Sequence, residues 1–245
     1  GPGQQTERAS RSVVSRCHGK GELALGHGAA VQILAEPQTA GRGVVKLSAV
    51  RVGKASVFLL GDVGGQLALA VLGHGHFGET WGIEKGIVMG RPDDDATWNK
   101  LDEVVFDRVM RFENGVGLRV SMSFVDEGGH FTQSVRAQCN ARISKKVFCI
   151  KGMPGQDKPY ISPPKKQKIF VNQIAVGTCW QYQLGVDSGK EIIMDNLRVQ
   201  TPGQKYCHFP KRDDYGSAYF AGLLSETKVY DPNKKQPWQW KKIPG

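Results

Sequence analysis

The stretch L-R-V-S-M-S-F-V-D-E-G-G-H, residues 118–130, decides the fold. Apolar Leu118, Val120, Met122 and Phe124 alternate with Arg119, Ser121 and Ser123, the two-residue period of a strand with one buried face. Val125 breaks the alternation and Asp126 follows, after which Gly128-Gly129 turn the chain into the helix-like F-T-Q-S-V-R-A-Q-C. Asp126 is therefore expected at the C-terminal tip of a strand, the edge of an α/β sheet where sites are built. Capping of the turn or helix that follows is the alternative role for the same carboxylate.

Before this stretch, S-V-F-L-L-G-D (residues 56–62) is a short apolar run ending on an acid, as a central strand would be. Q-L-A-L-A-V-L-G-H-G (66–75) reads as a second strand, joined through the turn Val63-Gly64-Gly65, and E-T-W-G-I-E-K-G-I-V-M-G (79–90) as a third. Tight connections make the three an antiparallel meander. Asp93-Asp94-Asp95 then opens a helix with apolar Trp98, Leu101, Val104, Val105 and Val109, the acids lying where the helix dipole favours them and reading as caps rather than as a metal site. After the central stretch come a helix over 131–139 and a fifth strand, K-V-F-C-I-K-G.

Strand, strand, strand, helix, strand, helix, strand is the succession of the ribonuclease-H-like fold, an α/β architecture whose mixed central sheet joins an antiparallel meander to parallel strands and is flanked by helices. In it the first and fourth strands end side by side, which would bring Asp62 and Asp126 together. Two carboxylates so close repel unless a cation lies between them, and a site of hard oxygen ligands favours Mg²⁺ or Mn²⁺. The chemistry implied is two-metal phosphodiester hydrolysis.

Composition agrees with a polyanionic partner. The 245 residues carry 33 Lys plus Arg against 23 acids, a formal net charge of +10, and are 40% hydrophobic, enough to bury a core. No apolar run approaches the roughly 18 residues that span a bilayer, and no signal-peptide core is evident, so a soluble, intracellular protein without a membrane partner is expected. The five cysteines, Cys17, Cys139, Cys149, Cys179 and Cys207, form no C-x-x-C pair, and Cys139 and Cys149 read as buried inert thiols. Residues 1–55 form a Gly- and Ala-rich arm without a helical stripe, and its Gly53-Lys54 lacks the Walker spacing. The folded domain is expected over 56–245.

Farther on, residues 152–168 form a Pro- and Lys-rich loop that is either a solvated connector or a track for a DNA backbone. Its lysines Lys158, Lys165, Lys166 and Lys168, with Lys151 before it, are the candidate DNA contacts. Residues 169–177 read as a strand or hairpin arm. Asp187 caps a helix running to about Leu197, with Lys190 facing phosphate or solvent. Asp213 to Lys228 reads as another helix, with Tyr219, Phe220, Leu223 and Leu224 as its apolar face. Trp238 and Trp240 form a short strand, read as core packing rather than base stacking. His74 and His76 share a strand face without a third soft ligand, and His130 could orient water or phosphate near Asp126.

Several stretches also carry a resemblance. L-G-H-G-H-F-G-E-T-W (72–81), M-G-R-P-D-D (89–94), V-D-E-G-G-H-F-T-Q-S-V (125–135), V-F-C-I-K-G-M-P-G-Q-D-K-P (147–159), L-G-V-D-S-G-K-E-I-I (184–193) and Y-C-H-F-P (206–210) are similar, in order, to the nuclease domain of the lambda-type phage terminase large subunit. The resemblance implies a metal-dependent endonuclease that cuts concatemeric DNA in the host cytoplasm. The implied partners are double-stranded DNA, an ATPase domain, a small terminase subunit and the portal of the prohead. It puts Asp126 on the family's second acidic position, Lys158 on a basic position, and Asp187 and Lys190 on a V-D-[ST]-x-K element. The chain departs from the family where L-G-D-V-G-G-Q-L replaces G-[VI]-D-x-Q-x-D-R, leaving Asp62 as the candidate first acid. The family's last acid, in R-N-E-A-x-D, has no counterpart before Gly245, so a metal site short of one carboxylate is expected. A catalytically silent DNA-binding or motor-docking module is the alternative function.

Overall fold

The computed structural model describes residues 54–60, 66–111 and 117–244, with side chains from Leu67 onward. In chain order the elements are β1 (Lys54–Leu60), β2 (Gln66–His74), β3 (Thr80–Met89), α1 (Asp95–Leu101), β4 (Val109–Arg111), β5 (Gly117–Asp126), α2 (Thr132–Ala141) and β6 (Val147–Met153). They continue with β7 (Lys165–Val171), β8 (Ile174–Gly185), α3 (Val186–Leu197), β9 (Cys207–His208), α4 (Ser217–Leu223), β10 (Glu226–Tyr230) and β11 (Trp238–Lys242). Asp62 and the turn at 63–65 lie outside the described residues, as does the arm up to residue 53.

The main sheet runs β7-β8-β6-β5-β1-β2-β3-β9, with β4 beside β5. The meander β1-β2-β3 is antiparallel, as expected, whereas β5 is parallel to β1, β6 to β5 and β8 to β6. This is a mixed α/β sheet whose parallel half ends on one edge. Leu67, Leu69 and Val71 turn one face of β2 toward a core shared with Trp98, Leu101, Val125, Val135 and Val147, so α1 and α2 cover that face. Ala70 points the other way, against Tyr215 and Tyr219 beside α4.

Several boundaries differ from the sequence reading. The helix opened by the acidic triplet is α-helical only to Leu101, continues as a π-turn over Asp102–Phe106, and Val109 belongs to β4. Asp94 is its cap, accepting the Ala96 N–H at 3.0 Å, and Asp93 pairs with Arg91. Residues 165–168 are not loop but the first part of the edge strand β7. The helix expected over 213–228 is broken into a 3-10 turn, the short α4, and β10, because Gly216 and Ser225 interrupt it. His76 leaves the strand and sits exposed in a 3-10 turn, so it does not share a strand face with His74. Two of the singled-out stretches meet at the far end of the sheet, where the His208 ring stacks on Trp81 at 4.7 Å and bonds Glu79 at 2.7 Å.

β5 carries the feature that aims the candidate site. Ala55 pairs with Val120 but Ser56 pairs with Met122, so Ser121 is an extra residue on β5, a bulge that inverts the alternation beyond it. Leu118 and Val120 pack toward the main core before the bulge, and Ser123, Val125 and Glu127 are buried after it. Asp126 therefore emerges on the opposite face, that of Phe124. There Phe124, Phe148 and Tyr182, from three adjacent strands, make edge-on ring contacts at 5.4 to 5.6 Å with Tyr182 at the centre.

Candidate active site

Asp126 is the last residue of β5, opposite Ile150 of β6. Its Oδ1 accepts the Gly128 N–H at 2.9 Å, and Gly129 takes φ +97°, a left-handed turn that glycine permits without strain. Burial raises the Asp126 carboxyl above the usual range, and the neighbouring Glu127 adds to the rise, while the Gly128 bond and Lys151 oppose it. A half-buried carboxylate with one oxygen held by a backbone donor suits a hard divalent cation, whose charge would offset the cost of desolvation. Lys151 is exposed and lowers the carboxyl only as the weakest of the four influences.

Asp126 was expected to cap the turn or to hold a metal, and its Gly128 bond shows that it does the first without occupying both oxygens. Asp62, its expected partner, lies outside the described residues. β1 is nevertheless described as far as Leu60, with Leu59 registered on Val125, so its described part reaches the level of Asp126.

Glu127 was not singled out, yet it is the most constrained acid near the site. Its side chain is 1% exposed and takes both Nε and Nη2 of Arg136 at 2.8 and 2.7 Å, with Gln181 Nε2 donating to the same carboxylate. Arg136 Nη1 donates to the Lys168 carbonyl at 3.0 Å, so one guanidinium joins β5, α2 and β7. The sequence signal was present in the acidic pair itself: neighbouring strand residues point to opposite faces, so one of Asp126 and Glu127 had to turn inward. Glu127 also lies with Cys149 and Cys179 in a cluster whose ligand atoms fall within 4.8 Å of one another, Sγ to Sγ being 3.9 Å. That donor set does not fit Mg²⁺ or Mn²⁺. Both carboxylate oxygens are committed to Arg136, and the two thiols stay protonated, Cys149 being pushed up by its contact with Cys139 and by burial, and Cys179 by its contact with Cys149 and by burial.

The sequence-chosen cations divide into two groups. Lys151 is exposed on β6 and Lys158 just beyond it, and Lys165, Lys166 and Lys168 are exposed on β7, with Lys166 Nζ 5.3 Å from the centre of the Trp180 ring. Lys190 is different, because its ammonium is bonded to Glu226 and lies over Trp240, and its side chain is only 16% exposed. It serves packing between α3 and β10 rather than a free phosphate-facing role. Asp187 sits in the first turn of α3 at the same sheet edge as Asp126, but the helix cap is Gly185 and the Asp187 side chain makes no capping bond. His130 is exposed in the turn after β5.

Gly185 fixes the loop that carries Lys158. Its N–H donates to the Pro159 and Tyr160 carbonyls at 3.1 Å each, and an added Cβ would fall 2.5 Å from Pro159 O and 2.6 Å from Lys158 O. Its φ of −69° suits any residue, so the penalty for a side chain is steric. Gly185→Ala is expected to cost about 1–3 kcal/mol in thermal or urea unfolding, because backbone cannot yield as a flexible side chain would. A loss below about 0.5 kcal/mol would show that the loop is not held there.

A family model described as terminase large subunit gpA, endonuclease domain, matches residues 47–245. The terminase large subunit of Escherichia phage lambda is 29% identical over 182 residues, covering 71% of this chain and 27% of the relative. That of Enterobacteria phage P21 is 28% identical over 158 residues, covering 64% of this chain and 22% of the relative. The chain thus spans about a quarter of the length of these curated relatives. No solved structure matches it.

Proposed function

The chain belongs to the terminase large-subunit endonuclease-domain family, and from that premise we propose that residues 56–245 form a metal-dependent DNA endonuclease of ribonuclease-H-like fold. In this reading it cuts concatemeric viral DNA during genome packaging, in the cytoplasm of the host. The observation that carries the reading is the parallel pairing of β1 with β5, with Leu59 opposite Val125. Asp126 follows Val125 by one residue at the tip of β5, and Asp62 follows Leu59 by three in the sequence, which supports pairing the two acids in this reading. The strand order β3-β2-β1-β5-β6-β8, antiparallel and then parallel, supports the fold assignment.

Asp126 and Asp62 would hold Mg²⁺ or Mn²⁺. A pair of such ions, when bound, would supply an activated water and neutralise charge at the scissile phosphate. The remaining work falls to the chain's own residues. Lys151 on β6 and Lys158 beyond it orient phosphates near Asp126, and Lys165, Lys166 and Lys168 hold the duplex along β7. His130 and Asp187 lie on the same edge and are supporting candidates. Double-stranded DNA, the terminase ATPase domain, the small terminase subunit and the portal are the partners proposed.

The test is nicking of supercoiled plasmid with Mn²⁺ or Mg²⁺ against a chelator control. Metal-dependent nicking is expected, and its absence at salt where DNA is still bound would leave the silent binding module. Replacing Lys165, Lys166 and Lys168 together by Ala is expected to weaken duplex binding and to flatten the plot of log affinity against log salt. The slope should fall by about 0.9 for each lysine that touches a phosphate. An unchanged slope removes β7 from the DNA surface.

A further inference from the structure

Beyond the main sheet, β10 and β11 form a separate two-stranded ribbon, and we propose that its tip binds single-stranded DNA beside the active-site edge. Tyr230 pairs with Trp238 at the end of the ribbon, their rings 5.0 Å apart. Against the expectation of core packing, Trp238 is 44% exposed and Tyr230 56%, whereas Trp98 is fully buried and Trp81 6% exposed. The Lys228 ammonium lies 5.2 Å from the centre of the Trp238 ring.

Charge is sorted along the same ribbon. Glu226 is taken up by Lys190 of α3, and Glu191 of α3 takes up Lys228, which fixes the ribbon to the helix. Asp231 accepts the Asn233 N–H at 3.1 Å within the connecting turn. Lys234, Lys235, Lys241 and Lys242 are all exposed and form no ion pair among the described residues. Glu226 and Glu191 are thus taken up by ion pairs between ribbon and helix, while four lysines and two aromatic rings face outward.

The tip is also placed against the site. Gln156 Nε2 donates to the Trp238 carbonyl, and a Cβ on Gly155 would lie 3.6 Å from Gln236. That loop leaves β6 shortly after Ile150, the residue registered on Asp126, and carries Lys158. An exposed aromatic pair among solvated lysines matches an unpaired strand, because base faces are open for stacking only when the duplex is parted, while phosphates attract the lysines in either form. The inference deepens the DNA reading above and rests on it for the choice of nucleic acid.

The experiment uses the whole chain in chelator, so that nothing is cut, with one fluorescent oligonucleotide presented as a single strand and as a duplex. Trp238→Ala is expected to weaken single-strand binding about tenfold and duplex binding less than about twofold, with Trp238→Phe recovering most of the loss. Equal loss on both probes, or loss on neither, overturns the proposal. Lys234→Ala with Lys235→Ala keeps the rings, and is expected to lower the single-strand salt slope by about 0.7 per lysine, an unchanged slope also overturning it. Because binding is read without metal, a ribbon that fails this test leaves plasmid nicking untouched, and a chain that never nicks leaves the ribbon result standing.

Discussion

Asp126→Asn is expected to reduce metal-dependent plasmid nicking at least about a hundredfold while raising the melting temperature of the metal-free protein. The size of the catalytic loss follows from position. Removing a residue that merely orients a metal ligand commonly costs 10–100-fold, so removing the ligand proposed above should cost more. The gain in stability follows from burial, which raises the Asp126 carboxyl above its usual range. At acid pH, below the ordinary carboxylate range, the group is protonated in both folded and unfolded chains and contributes nothing. As pH climbs through that range toward the raised folded value, the unfolded chain ionises first and stability is lost, the loss being complete above the folded value. Asparagine keeps the oxygen that accepts the Gly128 N–H and avoids this loss. The gap in melting temperature between variant and parent should therefore widen as pH rises and close at acid pH. A variant that nicks as the parent does would show that the nuclease resides elsewhere or in a contaminant.

Arg136→Met is expected to destabilise the protein by about 3–5 kcal/mol, the cost of leaving a buried carboxylate without its partner. Glu127 is 1% exposed on its side chain, and its other neighbours are Gln181 and the protonated Cys149 and Cys179, none of which supplies charge. For a domain of this size the melting temperature should fall by about 6–20 °C. Adding Glu127→Leu to Arg136→Met should recover much of that loss, since a hydrophobic pair of similar volume is often as stable as a buried ion pair. If Arg136→Met alone cost less than about 1 kcal/mol, Glu127 would have to reach water by another route. The same guanidinium bonds the Lys168 carbonyl, so the variant should also loosen β7, which amide hydrogen exchange on 165–171 would reveal.

The sheet was legible because its strands announce themselves by period and by turns. Residues 66–75 and 79–90, with short Gly-rich connections, could hardly form anything but antiparallel neighbours. The strand ending at Asp126 was legible for the same reason, and the resemblance to the terminase nuclease family, which the family model bears out, fixed the class of protein. What could not be read was any boundary set by tertiary contact. Lys165 to Lys168 has loop composition, yet Gln167 and Ile169 find Gln181 and the main core, and that is enough to make an edge strand. Trp238 and Lys190 each took the other's expected place, the ring outside and the ammonium held inside, because the ion-pair partner Glu226 lies beyond the rest of α3, β9 and α4 in the sequence. Periodicity records which residues like burial and says little about which partner will be there.

Ser121 shows how much can rest on parity. Were that residue held in regular pairing instead of in a bulge, β5 would run against β1 without interruption, and the acidic dipeptide at its tip would be rotated by half a turn. Glu127 would then look out over the aromatic rings and Asp126 would meet the guanidinium. Both orders keep an acid on each side, so the chain would still find an inner and an outer carboxylate, but with a longer arm at the catalytic edge and a shorter one at the clamp. The reach with which the proposed cation would be held thus depends on how one residue of a strand is paired, well before the acids themselves are reached.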